Sequence, residues 1–222
     1  MFVKICGITN EDDALVAVAM GADAIGFLLA PSSRQIAPVR AGDIAKRIPT
    51  SVMTVGVFRN ESRDQVVRTV NRQGLSAAQL HGWESPEDTM WISERIPRVI
   101  KAFVAGSDEV RRANDWGTNP ILVDAVKGGS GETWDWALAS ETPDDLSVMV
   151  AGGLRPSNVA DAVRQVKPWG VDVSSGVERS PGQKDALAIR DFVANARAAA
   201  ADFEAEAVGT NGWYERQTRP GS

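Results

Sequence analysis

Short apolar runs alternate with longer amphipathic stretches along almost the whole chain. Aliphatic, β-branched runs recur at residues 3–6, 24–28, 52–57, 77–80, 99–103, 121–123, 147–151 and 171–173, and each is short enough for a buried strand. The stretches between them carry helical spacing: Ala14, Leu15, Val18 and Ala19 fall on one face, as do Val66, Val67 and Val70 behind a Ser62-x-x-Gln65 capping box. Thr9 or Asn10 followed by acidic residues, and Ser85-Pro86 with Asp88, read as further helix starts. Eight strand–helix units in about 200 residues predict an α/β fold, a single-domain (β/α)8 TIM barrel. An open doubly wound sheet is the alternative, but no Gly-x-Gly-x-x-Gly opens a helix after the first strand and no Walker lysine motif is present.

A last helical pattern starts near Asp185, places Ile189, Phe192, Val193 and Ala196 on one face, and runs out near Val208. Residues 1–208 therefore form the expected barrel domain. Residues 209–222 read as an appendage, a tail folded over a helix through Trp213 and Tyr214.

The chain has 222 residues, 43% of them hydrophobic, enough for one substantial core. No window approaches the roughly 18 to 20 apolar residues that span a bilayer, and no basic-then-apolar leader opens the chain, so a cytoplasmic protein with no membrane partner is expected. The single cysteine fits a reducing compartment. A net charge of -5 argues against a nucleic-acid partner, and any anion site must be local. A monomer is expected, with a dimer as the alternative.

In a parallel barrel the loops at the C-terminal strand ends converge on one mouth. Cys6 ends the first run and Asp124 follows the sixth, which sets two reactive groups on that rim. Strand alternation puts Lys4 on the same side as Cys6, one layer below, and puts Asp172 and Ser174 inward on the neighbouring eighth strand. A buried charge there needs a partner, so a Lys4–Asp172 pair is expected, with Lys4 raising the thiolate fraction of Cys6. Cys6 as a plain buried hydrophobe stays open as a second reading. Asp124 suits a general acid; its alternative is a salt bridge with Lys101 or Lys127. Glycine-rich loops follow the last three strands: Lys127-Gly-Gly-Ser-Gly131, Gly152-Gly153 and Ser174-Ser175-Gly176. Backbone N–H groups in such loops approach anions closely, which implies a phosphorylated small substrate. Arg34, in the polar loop after the second strand, can clamp a carboxylate or phosphate through its planar fork. His81 faces the same way as Gln79 and is as ready to be a structural hydrogen-bonding group as a ligand contact. With one histidine and one cysteine, no ordinary metal cluster is expected.

Lys-Ile-Cys-Gly-Ile-Thr at 4–9, Gly-Ala-Asp-Ala-Ile-Gly-Phe at 21–27, Val-Gly-Val-Phe at 55–58 and Gln-Leu-His-Gly at 79–82 together resemble the phosphoribosylanthranilate isomerase family. Asp124, Gly-Gly-Ser-Gly at 128–131, Ala-Gly-Gly-Leu at 151–154 and Gly-Val-Asp-Val-Ser-Ser-Gly-Val-Glu at 170–178, followed by Lys184-Asp185, extend the resemblance in order over about residues 2 to 200. It implies a (β/α)8 barrel that carries out an Amadori rearrangement in tryptophan synthesis without a cofactor. Cys6 matches the family's general base and Asp124 its general acid. Arg34 matches the residue that contacts the anthranilate carboxylate, and the loops around Gly153 and Ser174, Ser175 and Gly176 match the phosphate site; His81 falls among the substrate-binding positions. Departures are Glu132 where a lysine is frequent, Trp134 for phenylalanine, Ser33 for proline and Arg155 for threonine. Glu132 is expected to weaken anion binding through repulsion. Two rivals remain: a histidine-pathway sugar isomerase, which resembles an aspartate pair where Cys6 stands, and a non-catalytic phosphate-binding barrel.

Overall fold

The computed structural model describes residues 1–125 and 135–204. Its strands are β1 (Phe2–Cys6), β2 (Ala24–Leu28), β3 (Met53–Phe58), β4 (Ala77–Leu80), β5 (Val99–Val104), β6 (Ile121–Asp124), β7 (Val148–Val150) and β8 (Gly170–Val173). They form a closed parallel barrel in sequence order, and β8 pairs with β1 to shut it. Between them lie α1 (Glu11–Ala19), α2 (Pro38–Ala45), α3 (Arg63–Gln73), α4 (Pro86–Ser93), α5 (Asp108–Arg111) and α6 (Val159–Val166). A short antiparallel hairpin, β9 (Glu178–Ser180) and β10 (Gln183–Lys184), precedes α7 (Ala186–Glu204). The strand pattern read from the sequence is present within a residue or two at each end. The barrel thus displaces the open sheet.

Helix starts follow local chemistry. Asn10 Oδ1 accepts from Asp13 N at 2.8 Å, Ser62 Oγ from Gln65 N at 3.4 Å and Ser85 Oγ from Asp88 N at 3.1 Å, each satisfying a backbone donor that a helix leaves without an internal partner. The face of α1 differs from the expectation. Asp13, Ala14 and Ala17 are buried, whereas Leu15 is 42% exposed and Ala19 is also exposed. From Ala14 to Ala19 the helix is apolar all round, so its spacing could not choose a face; the Asp13 carboxylate chooses it, accepting from Asn10 Nδ2 and from the Lys184 backbone N–H, both within 2.9 Å. The face of α7 is as expected, with Ile189, Phe192, Val193 and Ala196 all buried. Residues 209–222, including Trp213 and Tyr214, lie outside the described residues, as do Lys127, the 128–131 glycine loop, Glu132 and Trp134.

Two apolar layers result. The outward side chains of most strands pack with the helices in one large core that includes Val3, Ile5, Phe27, Val171 and Phe192, while those of β5 and β6, Phe103, Ile121 and Val123, form a smaller cluster with Val110 and Trp116. The barrel interior holds Phe2, Ala24, Val55, Ala77, Ile100, Leu122 and Met149. Fully burying a side chain such as Phe192 contributes about 1.5–3 kcal/mol. Above that interior plug, toward the C-terminal strand ends, the inward positions turn polar.

Candidate active site

Lys4 and Cys6 lie two residues apart on β1 and are 0% and 5% exposed. The Lys4 ammonium donates to Asp172 Oδ1 at 2.8 Å, across the β1–β8 seam where the two residues are register partners. The expected pair is therefore present. The same ammonium interacts with the Cys6 side chain next to it. Burial alone would lower the Lys4 pKa, but Asp172 and Cys6 outweigh it and push it above its ordinary value, so Lys4 stays charged. For Cys6 the balance falls the other way: burial raises the thiol pKa and Asp172 adds to it, more than Lys4 and Lys184 can offset. Lys4 thus limits the rise rather than creating a mainly ionised thiol. Gly26 of β2 makes the arrangement possible, since a Cβ there would lie 2.8 Å from Cys6 Sγ and 3.1 Å from Lys4 Nζ.

Asp124 ends β6 and is buried. Its Oδ1 accepts from the Ala125 N–H at 2.7 Å, and its Oδ2 lies 3.2 Å from His81 Nε2. Gln79 Nε2 lies 2.8 Å from His81 Nδ1. If the amide donates to Nδ1, the neutral ring carries its proton on Nε2 and presents it to Asp124. The sequence alternative of an Asp124–Lys101 bridge is not realised. Lys101 points away from the barrel axis and pairs with Glu84 at 3.1 Å, while also donating to Gly82 O at 2.7 Å. Glu84 in turn accepts from Asn60 N and Gly82 N at 2.9 Å each. Burial opposes charge on both partners: Lys101 is held below its ordinary pKa, whereas the hydrogen-bonded Glu84 ends below its own despite burial. This buried pair anchors the loop that carries His81.

Gly152 and Gly153 adopt left-handed φ values of 84° and 66°. A Cβ on Gly152 would lie 2.6 Å from Asp124 Oδ1, so this turn must be glycine for space as well as for backbone. The loop after β8 packs against the loop after β7: Leu154 O occupies the position that a Cβ on Gly176 would take. The Ser174 hydroxyl is buried and has no partner among the described residues, which leaves a donor at the predicted anion loop.

Arg34 is positioned beyond β2, where its guanidinium meets Glu178 of β9 in a two-pronged contact, Nε to Oε1 and Nη2 to Oε2, both at 2.8 Å. Lys184 of β10 donates to the same Oε1 and to Ser174 O, each at 2.9 Å. Burial would raise the Glu178 pKa, but the two cations hold it below the usual carboxylate value. Burial holds Lys184 below its own. Sequence reasoning placed Cys6, Asp124, Arg34, His81, Gly153, Ser174, Ser175 and Gly176 near the mouth, and it assigned no role to Gly26, Gln79, Glu178 or Lys184. The available signal was indirect: Glu178 and Lys184 lie inside the motifs that carry the family resemblance, but no strand alternation extends to them. Among the described residues no group of three or more His, Cys, Asp or Glu side chains could hold a metal, and no helix is long and apolar enough to cross a membrane.

The family model for N-(5'phosphoribosyl)anthranilate (PRA) isomerase matches residues 3–195. The N-(5'-phosphoribosyl)anthranilate isomerase of Thermotoga neapolitana is 43% identical over 201 residues, covering 88% of this chain and 98% of the relative. Phosphoribosyl anthranilate isomerase from Thermus thermophilus superposes with a TM-score of 0.83 at 39% identity, over 89% of this chain and 99% of the other. A second solved structure, at 41% identity and TM-score 0.79 over 89% of this chain and 99% of the other, is phosphoribosyl anthranilate isomerase in complex with reduced 1-(o-carboxyphenylamino)-1-deoxyribulose 5-phosphate. Agreement in sequence and in fold over 88–89% of the chain, added to the motif order around the barrel mouth, decides the point: this chain belongs to the N-(5'-phosphoribosyl)anthranilate isomerase family.

Proposed function

We propose that this chain converts N-(5-phosphoribosyl)anthranilate to 1-(2-carboxyphenylamino)-1-deoxyribulose 5-phosphate, the isomerisation step of tryptophan biosynthesis, with Asp124 as general acid and Cys6 as general base. The observation that carries the reading is the pairing of unlike groups at one mouth: a thiol above a buried ammonium on β1, and a carboxylate facing a histidine on β6. Asp124 gives its proton to the furanose oxygen as the C1′–O bond breaks, and the amine nitrogen's lone pair forms the Schiff base. The Cys6 thiolate then takes the C2′ proton, and those electrons move to the iminium, giving an enolamine that tautomerises to the ketone. The acid needs its proton at the start and the base needs to lose one, so different surroundings for the two groups suit the chemistry. The ligand of the solved relative has a carboxylate at one end and a phosphate at the other. Arg34 suits the first, and the N–H groups around Gly153 and Ser174–Gly176, with the unpartnered Ser174 hydroxyl, suit the second.

His81 orients Asp124 and borders the substrate. No cofactor enters this chemistry. We assign catalysis to residues 1–208 of a cytoplasmic monomer, with 209–222 as an appendage; a chain ending at residue 208 should keep its kcat/KM and sediment as a monomer, and a dimer would correct that assignment. The decisive measurement is the loss of substrate fluorescence with purified protein, compared with Cys6→Ala and Asp124→Asn. Turnover by the unsubstituted chain and its collapse in both variants are expected. Tight phosphate-ligand binding without turnover would favour the non-catalytic barrel instead.

A further inference from the structure

Glu178 is a carboxylate at a site meant for anions, and its side chain is only 5% exposed. Its two oxygens take up the Nε and Nη2 edge of Arg34, which spends two of the five guanidinium N–H bonds and leaves Nη1 and one Nη2 hydrogen for another acceptor. One of those oxygens also takes a hydrogen bond from Lys184, whose second bond goes to the Ser174 carbonyl. The four residues form a continuous chain from the carboxylate clamp to the proposed phosphate loop, although Arg34 and Glu178 are 144 positions apart in sequence. Two cations surround one anion, so this side of the mouth retains a net positive charge.

We propose that Glu178 is a positioning residue that sets the angle at which Arg34 receives the substrate carboxylate and, through Lys184, ties that angle to the Ser174 loop, so that the two anionic ends of the substrate are recognised together. The proposal rests on the reading of Arg34 and Ser174 given above. A rigid, bidentate partner fixes both the plane and the rotamer of a guanidinium, which otherwise loses side-chain freedom each time it binds. With Arg34 removed, the same Glu178 charge would face the incoming carboxylate and repel it.

Steady-state kinetics on the full chain tests this with Glu178→Gln, Arg34→Ala and the double variant, alongside inhibition by inorganic phosphate and by 2-aminobenzoate. Glu178→Gln should raise KM about tenfold with kcat changed less than about twofold, as expected for the loss of one charge-assisted contact that acts on binding. Arg34→Ala should raise KM further, and the double variant should have a lower KM than Arg34→Ala alone. Lys184→Met, which cuts only the second link, should weaken inhibition by phosphate about threefold and remove any effect of bound phosphate on inhibition by 2-aminobenzoate. A purely structural staple would instead lower Tm in Glu178→Gln with KM and both inhibition constants unmoved, and that result overturns the proposal; so does additivity in the double variant. If Glu178→Gln does not fold, Glu178→Asp, which keeps the charge but shortens the reach to Arg34, should raise KM with kcat changed less than about twofold, and an unmoved KM overturns the proposal. Absence of turnover by the unsubstituted chain would defeat the isomerase reading itself, a different outcome from turnover that ignores Glu178.

Discussion

The two arcs of the barrel mouth hold their reactive groups in opposite ways. On the arc from β8 through β1 to β2, the charged scaffold lies inside: Lys4 and Asp172 pair beneath Cys6, and Arg34, Glu178 and Lys184 link the loops above it. On the arc from β4 to β6, the charged scaffold lies behind the wall, where Lys101 and Glu84 fix the His81 loop from outside, and His81, held by Gln79, makes the contact with Asp124. The difference matters because charge near a proton donor or acceptor changes its willingness to ionise, whereas charge behind a strand changes only where the group sits. One arc tunes and the other arranges.

The sharpest way to break this comparison is to remove the reacting groups. Cys6→Ala and Asp124→Asn should each lower kcat by about 10²–10⁴, the ordinary contribution of a positioned acid or base; a loss on one arc only would mean that the other merely arranges substrate. Next come the two scaffolds. Lys4→Met and Lys101→Met each strand a buried carboxylate and should each cost about 3–5 kcal/mol in denaturant unfolding. Only Lys4→Met should also raise the pH at which iodoacetamide alkylates Cys6. Equal alkylation profiles would erase the distinction between the arcs.

Gly26→Ala forces a methyl against Cys6 Sγ and Lys4 Nζ and should cost about 1–3 kcal/mol, with a further drop in kcat from the displaced thiol. Because burial raises the Cys6 pKa, kcat/KM should still be climbing at a pH where a thiol of ordinary pKa near 8.5 would already level off; a flat profile would remove Cys6 as the base. The smallest effect is on acid stability. Glu178 and Glu84 have folded-state pKa values below the ordinary value of 4.5, so their contribution is complete above that value and is lost as pH falls through the lower folded ones. The lysines give no compensating gain there, being protonated in both states. Calorimetry should show Tm falling below about pH 4.5, less steeply in Glu178→Gln.

Strand alternation was enough to read Lys4, Cys6, Asp172 and Ser174 as one inward-facing set, because the period of two is strict and the closure of β8 on β1 follows from the strand count. The same rule put His81 on the same side of its strand as Gln79. It could not reach Glu178 or Lys184, which lie beyond the last barrel strand in a hairpin whose placement depends on tertiary contacts. Nor could spacing choose the buried face of α1, where every position from Ala14 to Ala19 is apolar and the Asp13 carboxylate settles the orientation. The partner of Asp124 was missed for a related reason: Lys101 is near in sequence order around the barrel, but alternation turns it outward and leaves His81 as the inward neighbour.

The pair across the closing seam joins residues 168 positions apart. A growing polypeptide therefore makes the Cys6 sulfur first and the aspartate that neutralises the adjacent ammonium more than 160 residues later, so a nascent or truncated molecule holds the cysteine in an unfinished electrostatic setting. Proton-abstracting competence should appear in one step when the final strand docks, and no fragment ending before residue 172 should show a fraction of it.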